Sequence, residues 1–147
     1  MKVEGRHRAS AAAPAVWAAL GDPERLGRTL PGVDAVEVES PDSFRAVVRL
    51  PTDLGVTPFA MGFRVEEREE PSRLRIAATG VGGEHRVDLT ADLELRPRDD
   101  GTEINWTCDA RFFGVLSAVG QRVLPGVVKE QVQSVVEAAA GAASSAR

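Results

Sequence analysis

The sequence predicts an α+β fold: a curved antiparallel sheet of about seven strands wrapped round one long C-terminal helix, with two short helices after the first strand. Two observations predict it. From Lys2 to Phe112, apolar and polar residues mostly alternate with period two between turn signals, the mark of half-buried strands. Beyond Gly114 the apolar residues switch to helical spacing. The 147 residues suit one domain spanning 1–147, long enough to bury a core without a staple or metal.

Each element follows from local chemistry. In residues 2–9, Val3, Gly5, His7 and Ala9 share one face and Lys2, Glu4, Arg6 and Arg8 the other. The alanine-rich stretch from Ala9 to Gly21 is interrupted by Pro14, so it reads as a helix over Pro14–Leu20 rather than an export signal. Asp22-Pro23-Glu24 supplies an N-cap, an N1 proline and an acidic first turn for a second short helix, ended by Leu30-Pro31-Gly32. Strands are then expected at Val33–Glu39 and Phe44–Leu50, separated by Ser40-Pro41-Asp42-Ser43. The first of these is an edge strand open to dimerisation.

A loop over Pro51–Pro58 precedes the apolar face of Phe59, Met61, Phe63 and Val65. A charged turn over Glu66–Pro71 leads to Leu74, Ile76 and Ala78. After Gly80–Glu84, the clearest strand sets Val87, Leu89, Ala91, Leu93 and Leu95 against Arg86, Asp88, Asp92, Glu94 and Arg96. Asp99-Asp100-Gly101 is a hairpin turn, and Ile104, Trp106, Cys108, Ala110 and Phe112 form the next inward face. The helix carries Leu116, Val119, Val123 and Val127, then Val128, Val132, Val135 and Ala139. Pro125-Gly126 is expected to kink or break it, and residues 141–147 to fray.

Composition excludes several functions. Eighteen Lys and Arg against 22 Asp and Glu leave a charge of −4, the wrong sign for nucleic acid. No apolar run approaches the roughly 20 residues of a membrane helix. One cysteine and two histidines exclude a disulfide framework and argue against a metal site or a resident cofactor. A soluble, cytoplasmic protein is the expectation. Gly80, Gly82 and Gly83 lack the pattern of a phosphate-binding loop and precede a strand. Glu66, Glu67, Glu69 and Glu70 read as a solvated turn, and Ser117 has no catalytic grouping around it.

Certain residues carry a resemblance: Glu4-Gly5, Pro14-Ala15-Val16-Trp17-Ala18, Asp22-Pro23-Glu24 and Leu30-Pro31-Gly32-Val33. A second block is Asp100-Gly101-Thr102-Glu103-Ile104, followed by Leu116 and Val119-Gly120-Gln121-Arg122-Val123. With these the chain resembles the helix-grip superfamily of START-like and polyketide-cyclase-like proteins. More narrowly, it resembles the carbon monoxide dehydrogenase CoxG-like family. The resemblance implies a protein that holds an apolar small molecule, such as a quinone or lipid, and serves a molybdenum hydroxylase of the carbon monoxide dehydrogenase type. The superfamily also contains cyclases and aromatases, an alternative that fold cannot decide. The segment from Arg49 to Phe63 is richer in Phe and Met than the family's shorter polar strand. Many members carry a C-terminal extension implicated in membrane or partner contact, whereas this sequence stops at Arg147.

The candidate ligand-binding residues are Phe59, Met61, Phe63, His85, Trp106, Phe112, Leu116, Val119, Val123 and Val127. Phe and Met offer a polarizable wall, and Trp106 offers an indole N–H to a ligand oxygen. No catalytic residue is expected of a carrier. A cyclase would use His85 or His7 as acid–base, both in phase with the inward face of their strands. Cys108 reads as a small buried hydrophobe, and Trp17 as packing.

Overall fold

The computed structural model describes residues 1–22, 33–52, 55–114 and 118–145. Seven strands, β1 (Lys2–Ala9), β2 (Val33–Ser40), β3 (Ser43–Thr52), β4 (Gly55–Glu69), β5 (Arg73–Gly82), β6 (His85–Arg98) and β7 (Gly101–Phe113), form one sheet in the order β1-β7-β6-β5-β4-β3-β2. Every neighbouring pair is antiparallel. Helix α1 (Ala13–Leu20) follows β1, and helix α2 (Ala118–Ser145) closes the order. The expected second short helix, with the Leu30-Pro31-Gly32 turn, lies outside the described residues.

Four local expectations are corrected. First, the loop expected over Pro51–Pro58 is mostly hairpin, with Thr52↔Gly55, Pro51↔Val56 and Arg49↔Pro58 paired. Among the described residues, β2 pairs with β3 no further than Val48 and β5 with β4 no further than Ala60. Both prolines therefore sit on a hairpin that outruns its neighbours, where a missing N–H is tolerated. Second, β4 continues through the expected charged turn to Glu69, with a register shift between Val65 and Glu67. Its charges are satisfied across strands, Arg68 by Asp42 at 2.9 Å and Glu67 by Arg75 at 3.6 Å.

Third, β5 extends through Gly82, so Gly80 and Gly82 are strand residues; Gly83, at φ +59°, starts the two-residue turn to β6. Fourth, α2 is continuous across Pro125 and through the expected frayed segment to Ser145. Proline removes one backbone bond, but packing of the apolar face along 28 residues outweighs that local loss.

The sheet has two chemically distinct faces. Ion pairs cross the outer one: Arg75 donates to Asp92 at 2.7 Å, Arg96 to Glu94 at 2.9 Å, and Arg98 meets Glu103 at 3.0 Å. Hydrogen bonds from Asn105 and Arg98 hold the Glu103 carboxyl below its ordinary range. On the inner face, Ile104, Trp106, Cys108 and Ala110 of β7 meet Leu93, Leu95, the α1 residues Val16 and Trp17, and Val128, Val136, Ala139 and Ala140 of α2. A second cluster of Leu50, Phe59, Met61, Ala78 and Val87 gathers under the N-terminal half of α2, where Val127 packs on it.

Large inward side chains are seated opposite small ones. Gly5 pairs with Trp106 across β1 and β7, and a Cβ on Gly5 would stand 2.6 Å from the indole Cζ2. The indole cannot give way, being 2 % exposed and donating its N–H to Gln133 Oε1 at 2.9 Å. Gln133 in turn donates to the carbonyl of Arg6 at 3.4 Å, tying α2 to strand β1. Cys108 sits fully buried in the same layer, and burial, with Asp109 adding, pushes its thiol up to about 11.

Two outcomes follow for stability. Gly5→Ala should destabilise the protein by about 1–3 kcal/mol through overpacking against Trp106, read as a lower urea midpoint at unchanged slope. The native Cys108 thiol keeps its proton at pH values where the unfolded thiol, with a pKa of about 8.5, has lost it. Its contribution is therefore whole below about pH 8.5 and declines as pH rises toward the native value. Urea unfolding at neutral and alkaline pH should show a smaller alkaline loss for Cys108→Ala than for the parent.

Candidate functional site

The inner face of β3 to β6 can be built rung by rung from the strand register. One rung runs Phe44–Phe63–Ala78–Leu89–Ala110 and the next Ala46–Met61–Gly80–Val87–Phe112. A third carries Val48–Phe59 and Gly82–His85, joined by contact of Phe59 with both Gly82 and His85. Strand alternation brings these side chains to one face because their spacing along each strand is even. Phe44 and Phe63 stack at 4.6 Å between centroids with an 8° interplanar angle.

Burial varies over the inner face, and both clusters hold enclosed and partly covered side chains. Ile104, Cys108, Ala110, Val136 and Ala139 are fully enclosed. Under the N-terminal half of α2, by contrast, Val48, Phe63, Leu89, Phe112 and Val127 are only partly buried although they point inward. Apolar side chains turned toward the interior yet incompletely covered make a surface on which an apolar molecule gains by burial, about 25 cal/mol per Å² removed from water. Among the described residues of the three rungs, His85 is the one ionisable side chain on this face.

The structure gathers Phe59, Met61, Phe63, His85, Phe112 and Val127 of the expected site residues at this end. Trp106 lies in the enclosed layer instead, its N–H taken by Gln133. The N–H expected to face a ligand oxygen is thus already satisfied inside the protein, because the Gly5 gap draws the indole toward β1. Val123 is 48 % exposed and joins neither cluster, since the continuous helix turns Val127 and Val128 to the sheet. Val119 lies in the first turn of α2, its side chain not among those described, and Leu116 and Ser117 lie outside the described residues.

The two histidines are separated by β7 but sit at opposite ends of the sheet. His7 pairs with Ile104, whereas His85 lies beyond the Arg86–Phe113 pair. At about 3.4 Å per residue along β7, that offset is roughly 30 Å. They cannot act on one substrate together. His85 is 8 % exposed, packed against Phe59 at 6.4 Å between ring centroids and beneath Gly114; His7 is half-buried at the far end.

Three surface hollows accompany this face, and the first shares Ala46, Met61 and Gly80 with it. One of about 680 Å³ opens beside Ala60, Gly62, Thr79 and Val81. Another of about 650 Å³ is lined by Glu4, Arg6, Asp92, Glu94 and Asn105. The third, about 620 Å³, lies between β1 and α2, with Arg6, Lys129, Glu130 and Gln133 on its walls. All three lie open to solvent, so none offers the enclosure an apolar ligand needs. No group of His, Cys, Asp and Glu able to hold a metal occurs among the described residues. Nor is any helix of the described residues long and apolar enough to cross a membrane.

Sequence reasoning missed Val48, Leu50, Val87 and Leu89 as members of this surface, although alternation places each on the inward face. Nothing in the sequence pointed to Gln133 as the partner of Trp106.

Comparison with known proteins places this architecture. A conserved protein from Geobacillus kaustophilus superposes with a TM-score of 0.86 at 22% identity, covering 99% of this chain and 96% of that one. A START superfamily protein from Mycobacterium smegmatis gives a TM-score of 0.73 at 14% identity, with 99% of each chain covered. The Zhui aromatase/cyclase from a Streptomyces species gives 0.72 at 18% identity, covering 98% of this chain and 93% of that one. At these identities the likeness shows the fold, a START-like helix-grip, and not the chemistry. No curated protein sequence matches the chain. The family model for CoxG, named as a component of carbon monoxide dehydrogenase, matches residues 5–144, and the chain therefore belongs to the CoxG family.

Proposed function

We propose that the protein holds an apolar or amphipathic small molecule, of the quinone or lipid class, between the inner face of β3–β6 and the N-terminal half of α2. In this reading it is a cytoplasmic carrier or accessory factor for a molybdenum hydroxylase of the carbon monoxide dehydrogenase type, and performs no reaction itself. The observation that carries the reading is the incomplete burial of Val48, Phe63, Leu89, Phe112 and Val127 on an inward face. Family membership supports the partner class.

The residues present suit holding more than catalysis. Phe59, Met61 and Phe63 offer a broad apolar flank to a flat ring or a chain. Among the described residues of the three rungs, His85, at the end of that flank, is the one ionisable side chain that a ligand oxygen would meet. With His7 roughly 30 Å away along the sheet, a cyclase working on this face would have His85 alone as its acid–base.

Native mass spectrometry of the protein purified from its own or a related host, followed by organic extraction, tests the reading. A stoichiometric isoprenoid quinone or comparable lipid is the expected outcome. A polyketide-like aromatic would favour the cyclase alternative. No co-purifying ligand, together with failure to bind quinone analogues, would overturn the carrier. In the same preparation His85→Gln and His85→Ala should change ligand affinity by no more than a few-fold, whereas loss of an acid–base catalyst would lower turnover by roughly 10²-fold or more.

A further inference from the structure

We infer that Gly80 sets the depth of the ligand space, by allowing the side chain of Met61 to lie flat on the sheet. The inference rests on the ligand-holding role proposed above and assigns a specificity-determining position within it.

In the C-terminal half of β5 the inward residues Ala78, Gly80 and Gly82 are small, between the large Phe59, Met61 and Phe63 of β4 and His85, Val87 and Leu89 of β6. That half of β5, beyond the inward Leu74 and Ile76, is thus a trough in the inner face. Met61 fills it at Gly80: a Cβ added to Gly80 would overlap Met61 Sδ and stand 3.3 Å from Met61 Cε. Met61 is only 4 % exposed and Ala46, its neighbour on β3, is also 4 % exposed, so the side toward β3 is occupied. With the sheet beneath it, a displaced thioether has one direction left, away from the sheet toward Val127 of α2. That is the space assigned to the ligand.

Gly82 seats Phe59 in the same way, but a Cβ there would also stand 2.8 Å from the Pro58 carbonyl oxygen. Substitution at Gly82 would strain the backbone. At Gly80 the nearest obstacle is the end of a flexible side chain, with the Ala60 carbonyl oxygen at 3.1 Å. Gly80→Ala is therefore the variant that changes the shape of the space while sparing the fold.

The test measures decylubiquinone binding by displacement of 1-anilinonaphthalene-8-sulfonate, with circular dichroism as the control for folding. Gly80→Ala should weaken decylubiquinone binding by about tenfold, and adding Met61→Ala should return it to within a few-fold of the parent. Equal affinity of parent and Gly80→Ala would overturn the inference while leaving the ligand-holding role intact. If the parent itself binds neither compound, the role fails first. Should Gly80→Ala not fold, Met61→Ala alone decides. Removing the thioether should raise affinity for the fused-ring menadione relative to decylubiquinone by about tenfold, and an unchanged ratio would overturn the inference.

Discussion

One helix cannot cover a seven-stranded sheet, and the rest of the structure depends on that mismatch. Strands about 4.8 Å apart make a sheet roughly 29 Å wide, whereas a helix with its side chains is about 10–12 Å across. An antiparallel sheet with an ion-paired outer face has to bury its inner one. Here α2 packs on β1 and reaches β7 and β3, with α1 beside it, and Ile104, Trp106, Cys108 and Ala110 are buried beneath them. Val48, Phe63, Leu89 and Phe112, on β3, β4, β6 and β7, stay only partly buried. What is left over from packing becomes the surface available to a ligand.

The mismatch explains where small residues sit. Gly5 lets Trp106 reach α2 through Gln133, which anchors the helix over one end of the sheet. Gly80 and Gly82 let Met61 and Phe59 lie down at the other end, where no second helix among the described residues fills the gap. The same device, a glycine opposite a large side chain, seats Trp106 at one end and Met61 and Phe59 at the other, all three buried.

The sheet edges follow the same logic. At β1 the Gln133 carboxamide reaches the Arg6 carbonyl, so α2 itself blunts that edge. β2 is the opposite edge, broken by two register shifts and by Ala35 at φ +52°. Its acidic residues are tied back to β3, Asp34 to Arg49 at 2.8 Å and Glu39 to Arg45 at 3.0 Å. Bulges and charges of this kind discourage pairing with another chain.

Strand number, inward faces, the long C-terminal helix and the family were legible in the sequence, because each rests on periodicity or on short motifs that local chemistry dictates. Val87, Leu89 and Phe112 could be placed inward from alternation alone. The β3–β4 hairpin was hidden because Pro51 and Pro58 carry a turn signal whose cost vanishes where neighbouring strands have ended. Tertiary structure alone decided which inward residues are enclosed and which stay open. It turned Val123 outward, gave the Trp106 N–H to Gln133, and set His7 and His85 at opposite ends of β7. Periodicity fixes the face a side chain points to; the register between strands and the position of α2 fix its height and its cover, and those depend on residues far apart in the chain.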